Sequence, residues 1–394
     1  MKKYLICILL LAFLIKAKAQ NIQGKITDEI TGAGIPFVSV GVLGTNDATV
    51  SNENGDFVLK VAFYPAKLRF SHVSYLVTEL TLTESIEKLA IKLRPATISL
   101  NLVTIDPYIG QRIVKAALEK ARESAPVNFY ANAFYRQLTT VNNKASQVYE
   151  LFYDLKWNTK RIQGWVAKQS RFAELNEKVT FSMNNQSYLT FSYSGYLLPD
   201  KGGKFINLAT LNEYDFVIDK YIEQADQKIA VVTCKLKKFR KNLYYVNSTY
   251  YIGMDDSKIY RLENSVFNLP IKLSEASLKY PPIVTTIATF NGNEHPIPVL
   301  ESVSTKLNMS LNVKGRELNS GISSLLTVYK VNDQLKNQPF EALNRKTKDK
   351  TVIESIKYDA TFWKNNPIVK QTTLEDSFIK MMESKQAFGT MTNP

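Results

Sequence analysis

Residues 21–61 read NIQGKITDEITGAGIPFVSVGVLGTNDATVSNENGDFVLKV. Residues 23–28 (QGKITD) form a short alternating strand, and residues 29–34 (EITGAG) a turn whose glycines accept positive φ. Residues 37–43 (FVSVGVL) alternate apolar and polar positions, as a half-buried strand does. Gly44-Thr45-Asn46-Asp47 turns the chain into a short strand at 48–51. Asn54-Gly55 is then a hairpin signal leading into FVLKV. Further strands fall at 67–71, 76–82 and 89–93. Strands recurring every ~8–12 residues with turn chemistry between them predict a β-sandwich.

Upstream, Lys2 and Lys3 precede a short apolar run ending at Ile15, and Ala17-Lys18-Ala19 fits a signal-peptidase site. The run is shorter than the ~20 residues that span a bilayer. The expectation is therefore a signal peptide over 1–19 and an exported chain starting at Gln20, in the periplasm or associated with the outer membrane. Cys7 lies inside the apolar run, which argues against a lipoprotein anchor there. No later stretch reads as a transmembrane helix. Without the four lysines of the leader, 46 basic residues face 36 acidic ones. The sandwich is near neutral, so the basic excess lies in the remainder. Cys234 is then the single cysteine, in the apolar context VVTCKL, and reads as a buried small hydrophobe.

The motif residues Gly24, Ile26, Asp28, then Gly34, Pro36, Val38, Val40, then Gly44, Thr45, then Thr49, Asn52, Gly55 and Phe57 resemble the carboxypeptidase-regulatory-like domain, a transthyretin-like β-sandwich. Phe70-Ser71-His72-Val73-Ser74-Tyr75 resembles a later element of that family, with Ser74 where glycine is usual. The resemblance covers 21–98. It implies a domain without an active site of its own, often found ahead of other domains in exported proteins of the Bacteroidetes-type cell envelope.

Residues 94–105 read as a linker-like return strand, giving domains 1–19, 20–105 and 106–394. Asp106-Pro107 opens a helix with Ile109, Ile113, Ala116, Ala117 and Ala121 on one face, stopped by Pro126. From 131 onward aromatic and β-branched strands dominate, including AFYRQLTTV, VYELFYDLKW and YLTFSYSGYLL, with hairpins expected at 223–227 and 255–257. The fold class is mainly β: a seven-strand-type sandwich followed by an α+β domain with a large antiparallel sheet and few helices. Residues 333–350 read as loop. A last helix should start at Thr373 and carry Leu374, Phe378, Met381 and Met382 on one face. Val127-Asn128-Phe129-Tyr130, Phe134-Tyr135-Arg136 (followed by Gln137 in place of Glu), Tyr251–Asp255 and Phe362-Trp363-Lys364-Asn365 resemble an uncharacterised exported family carrying the same N-terminal sandwich. The sheet-plus-hairpin pattern also loosely resembles lipoprotein-carrier-like half-barrels of the periplasm.

Catalytic motifs are absent. His72 and His295 lack zinc-ligand spacing, and there is no nucleophile elbow or P-loop. Asp255-Asp256 reads as a turn and Glu375-Asp376 as a helix start. Asp47, Asn52, Asn54 and Asp56 miss calcium-loop spacing. No cofactor or metal is expected, and no nucleic-acid partner. The leading reading is a non-enzymatic envelope protein that binds something through its C-terminal β domain, whether an envelope protein, lipid or polysaccharide, with peripheral membrane association allowed. A carrier of a lipid or other apolar ligand is one alternative, its apolar lining drawn from Phe134, Phe152, Phe191, Tyr193 and Tyr251. A hydrolase with two converging carboxylates is another. A transmembrane-barrel receptor would need more strands than 289 residues supply. Lys235, Lys237, Lys238, Arg240 and Lys241, interleaved with Phe239, offer an anionic-surface site, or else guard an exposed strand edge.

Overall fold

The computed structural model describes residues 20–99, 106–175, 185–199, 203–224, 227–271, 273, 276–291 and 297–388. The expected signal peptide over 1–19, the expected domain boundary at 105, His295 and residues 389–394 lie outside them.

The sandwich is present with seven strands. β1 (Gln20–Asp28) lies between β4 (Asp56–Val61), antiparallel, and β7 (Lys88–Leu93), parallel. β3 (Ala48–Val50), β2 (Ser39–Val42), β5 (Ala66–His72) and β6 (Tyr75–Leu82) form the facing sheet in that order. Strict alternation along β7 sends Leu89, Ile91 and Leu93 inward against Ile22, Ile26, Val40, Phe57 and Phe70. Gly55, at φ 81°, closes the hairpin where a Cβ would lie 2.3 Å from the Ile26 carbonyl oxygen, so the motif glycine is a steric requirement. Asn52 caps the same turn by accepting from the N–H of Asn54 (2.9 Å) and Asp56 (3.0 Å). Turn chemistry thus accounts for these residues.

The second unit is one 13-stranded antiparallel sheet. Its long strands are β9 (Phe129–Val141), β10 (Lys144–Asn158), β11 (Arg161–Glu174), β12 (Tyr214–Glu223), β13 (Lys228–Leu236), β14 (Tyr245–Gly253), β15 (Ile259–Phe267), β17 (Ile283–Asn291), β18 (Val299–Val313) and β19 (Arg316–Val331). β8 (Thr97–Ser99), β16 (Ser277–Leu278) and β20 (Glu341–Ala342) are short additions. The spatial order is β20-β11-β10-β9-β19-β18-β17-β15-β14-β13-β12-β8, with β16 beside β18. β10 and β17 stand four places apart, which in a flat sheet means ~19 Å. Yet the Trp157 and Phe290 rings are 6.1 Å apart, and Tyr196 touches both. The sheet is therefore strongly curved.

Its concave side holds α1 (Ile109–Glu123) and α2 (Gln186–Ser192). α1 buries Val114, Ala117, Leu118 and Ala121, a face rotated slightly from the expected one, with Ile109 and Ile113 half-buried at its margin. α2 departs from the expected strand over 188–198. Its Tyr, Thr and Phe favour strands, but the segment lies over a sheet face and has no edge to pair with. Its backbone groups must be satisfied internally, which a helix does. Thr190 and Ser192 also donate to the carbonyls four residues back.

The convex side is covered by two separate pieces of chain. α3 (Asp349–Glu354) lies on the concave side at the β11 edge, where Ile353 joins the concave core, while α4 (Ala360–Asn365) and α5 (Thr373–Ser384) form a C-terminal strap on the convex side. α5 starts at Thr373 as expected, and its capping box uses Thr372 and Glu375. Phe378, Ile379 and Met382 pack on Leu138, Val148 and Ala173. The sandwich adjoins this strap: Val50 enters the Phe134–Phe152–Trp363–Val369 cluster, and Thr49 donates to the Ile368 carbonyl at 2.6 Å. At its other end Val73, Leu76 and Ala96 pack on Ile222, Val231 and Tyr251. The expected linker is more than a connector there, since β8 pairs with β12. His72 faces Arg261 at 3.3 Å in this contact, and burial with the nearby guanidinium pushes its pKa down to about 3.

A cationic cleft on the concave face

A cleft of about 1850 Å³ opens on the concave side. Leu118 of α1, Leu189 and Tyr193 of the α2 region, and Leu198, Phe205 and Ile206 of the following loops form a buried apolar floor. Leu197, Leu208, Leu269, Ile271 and Leu273 are half-buried along its walls. The α2 segment can descend against the β10–β11 turn because Gly195 sits there. A Cβ at that position would lie 2.2 Å from the Lys160 carbonyl oxygen.

Among the described residues the charge lining this cleft has one sign. Arg122, Lys160, Arg161, Arg345, Lys346 and Lys348 line it, and no Asp or Glu does among the described residues. None of the six is in an ion pair with a described acid, and all but Arg161 are exposed. The Tyr193 and Tyr244 hydroxyls meet at 2.9 Å in its wall. Burial pushes both phenols up, most strongly Tyr193, while Arg345 pulls Tyr244 partly back, so both are neutral hydrogen-bonding groups near pH 7.

Beneath α2 runs a feature no motif revealed. Cys234, Ser248, Asn264, Thr286, Thr305, Ser324 and Gln137 occupy one cross-strand row over seven strands, all buried. Ser248 donates to Asn264 (2.7 Å) and Asn264 to Thr286 (3.1 Å), while Thr190 of α2 contacts Thr305 (3.2 Å) and Ser324 (3.0 Å). Ser187 of α2 donates its N–H (3.2 Å) and its hydroxyl to Asp349, whose carboxyl burial raises to about 7. This polar seam ties α2 to the sheet. Its members are ordinary strand residues in sequence, visible as a row only once the register is known.

The five aromatics expected to line one site are divided by the sheet. Tyr193 alone lines the cleft. Phe191 lies behind it, against Tyr135, Tyr153 and Trp165. Phe134 and Phe152 point to the convex face and pack on the strap, because strand alternation gives the concave side to Tyr135 and Tyr153. Tyr251 is also convex, in the contact with the sandwich. The cleft's cations and its Leu269–Leu273 wall escaped the sequence reading because they are contributed by distant loops.

Lys235 is an exposed position within β13, and Lys237, Lys238, Arg240 and Lys241 are exposed in the β13–β14 loop. β13 is paired on both sides, so these charges do not guard an open edge. Asp256 accepts from the Tyr260 hydroxyl at 2.6 Å and Glu375 belongs to its capping box, so both carboxylate pairs hold structural posts away from the cleft. Among the described residues no group of three or more potential ligands could hold a metal, and no helix is long and apolar enough to cross a membrane.

The family model for the CarboxypepD_reg-like domain matches residues 22–105. This N-terminal part is a CarboxypepD_reg-like domain. None of its described residues lines the cleft, and within this chain the domain backs the convex face. No curated protein sequence matches the chain. Among solved structures, a domain from Vibrio parahaemolyticus named for outer membrane lipoprotein sorting is similar at 10% identity and a TM-score of 0.26, covering 59% of this chain and 98% of its own. A LolA-superfamily protein from Nitrosomonas europaea is similar at 12% identity and 0.18, covering 56% and 96%. At TM-scores this low the likeness assigns neither fold nor ligand to this chain.

Proposed function

We propose that the protein is an exported, non-enzymatic envelope protein whose concave cleft binds an amphiphile with an anionic head group and an apolar tail. The observation that carries this reading is the lining: six cations with no acidic partner among the described residues, above a buried Leu, Phe and Tyr floor. An apolar ligand would need no such rim, and a soluble anion would need no such floor. The cleft exceeds the ~300–1,000 Å³ of drug-sized sites, which suits a lipid-sized occupant. The CarboxypepD_reg-like domain and the strap hold the sheet from behind and leave the cleft open. A hydrolase reading finds no described carboxylate in this cleft.

The test uses dansyl-undecanoic acid and its uncharged methyl ester, titrated by fluorescence. The acid is expected to bind more tightly than the ester. The triple variant Arg345→Glu, Lys346→Glu, Lys348→Glu should weaken the acid by roughly ten- to hundredfold, from exposed charge terms of up to ~1 kcal/mol each, and leave the ester nearly unchanged. Equal binding of acid and ester, or no binding of either, defeats the reading. Native mass spectrometry of protein taken from its own envelope would then identify the natural occupant.

A further inference from the structure

The β13–β14 loop presents Phe239 with 66% of its surface exposed, flanked by Lys237, Lys238, Arg240 and Lys241. Lys237 is engaged: its ammonium donates to the Asn212 carbonyl at 3.1 Å and lies 4.0 Å from Asp215. Lys238, Arg240 and Lys241 are in no ion pair with a described acid. The exposed ring is held in place from behind. Phe239 stacks on Tyr245 (5.9 Å between centroids, 24° between planes), and Tyr245 stacks on Phe267 (4.7 Å, 10°). This file of three rings braces the loop tip against the sheet.

The loop also adjoins the cleft. Tyr244, next in the chain to Tyr245, lines the cleft wall. The Leu243 carbonyl accepts from the Asn268 side chain at 2.8 Å, and the neighbouring Leu269 lines the same wall. An apolar tip ringed by cations therefore stands at the rim of an apolar, cationic cleft.

We propose that this loop docks the protein on an anionic lipid bilayer, with Lys238, Arg240 and Lys241 over the head groups and Phe239 entering the interface, so that the cleft faces the membrane holding its ligand. The purpose of docking rests on the cleft reading above; the docking itself rests on the loop alone. A bilayer satisfies both features at once, since anionic head groups complement the cations and the head group–acyl boundary accepts an aromatic ring. Each Lys or Arg near such a surface contributes about fivefold in partitioning. Removing three should cost roughly a hundredfold at low salt, and less at high salt.

The experiment sediments the purified protein with phosphatidylcholine vesicles, with and without phosphatidylglycerol, at low and high salt. Wild type is expected to bind the phosphatidylglycerol vesicles, losing them as salt rises. The variant Lys238→Gln, Arg240→Gln, Lys241→Gln should lose roughly a hundredfold, and Phe239→Ser several-fold at fixed salt. Both should keep wild-type affinity for dansyl-undecanoic acid in solution, which also shows that they fold. The proposal is overturned if wild type ignores phosphatidylglycerol, or if the triple variant binds as wild type does. It is also overturned if Phe239→Ser has no effect while dextran sulfate displaces the vesicles, an outcome that marks the loop as a general polyanion surface. Loop-dependent docking by a protein that takes no dansyl-undecanoic acid supports the docking surface and removes the cleft reading.

Discussion

Glu150 is a buried charge at the centre of an ion-pair network in the C-terminal domain. It sits on the convex face of β10 between two guanidinia: Arg136 donates from Nε at 2.7 Å and Arg171 makes a still shorter contact. The side chains are 1%, 7% and 6% exposed respectively. Burial works against the carboxylate, but the two guanidinia outweigh it and hold the Glu150 pKa below the usual range. Glu150→Gln removes the central charge and leaves two buried cations. Breaking a buried pair costs about 3–5 kcal/mol. Two features place this case at the lower end. Arg136 keeps Glu375 at 3.6 Å, and Arg171 keeps Glu383 at 3.1 Å as well as the Trp363 ring at 4.5 Å. The expected loss is therefore about 3 kcal/mol by urea denaturation at pH 7. Arg136 also donates to the Val369 carbonyl at 3.3 Å and Arg171 binds α5, so the strap should become protease-sensitive before the rest of the domain. The sign with pH follows from the depressed folded pKa. The contribution is complete above the unfolded value near 4.5 and disappears as pH falls through the folded value, so wild type and Glu150→Gln should converge in acid. A loss below about 1 kcal/mol, the range of an exposed pair, would refute the idea that this network ties the strap to the sheet.

Asp349→Asn should change the pH profile in the opposite direction. The folded carboxyl is raised to about 7 from 3.8, so the unfolded chain releases its proton first and wild-type stability falls as pH rises from ~4 to ~7, by about 4 kcal/mol from this group. The variant should lack that slope, apart from the share of Glu301, also raised to about 7; urea midpoints at pH 5 and pH 8 measure it, and an unchanged slope refutes the assignment. Phe152→Ala should cost about 3–5 kcal/mol, because the ring sits among Phe134, Phe362 and Trp363 at 4.8–5.2 Å. It should leave dansyl-undecanoic acid binding intact, and a large loss of affinity by fluorescence titration would show that the two faces of the sheet are not separate.

Parts of this arrangement are legible in the chain. The seven sandwich strands can be read because they are short and mostly bounded by turn residues, several of them glycine or asparagine, as at Asn54-Gly55. The hairpins at 223–227 and 255–257 are legible as short polar interruptions between two strand-like runs. Residues 188–198 are not, because whether Tyr, Thr and Phe form a strand or a helix depends on whether a sheet edge is within reach. The candidate lining was only partly legible. Aromatic content identified Phe134, Phe152, Phe191, Tyr193 and Tyr251 as buried or half-buried, but burial on two faces of one sheet looks alike in sequence.

The sequence by itself determined the mainly β character, the CarboxypepD_reg-like domain, the basic bias of the remainder and the apolar setting of Cys234, all of which depend on local pattern or composition. Tertiary structure decided the rest. Curvature of the sheet brought the α1 end, the β10–β11 turn and residues 345–348 to one mouth, although more than 180 residues separate Lys160 from Arg345. Strand register aligned seven scattered side chains into the polar seam. Like charges from distant segments make a binding surface only when the backbone places them together, and local periodicity carries no information about that meeting.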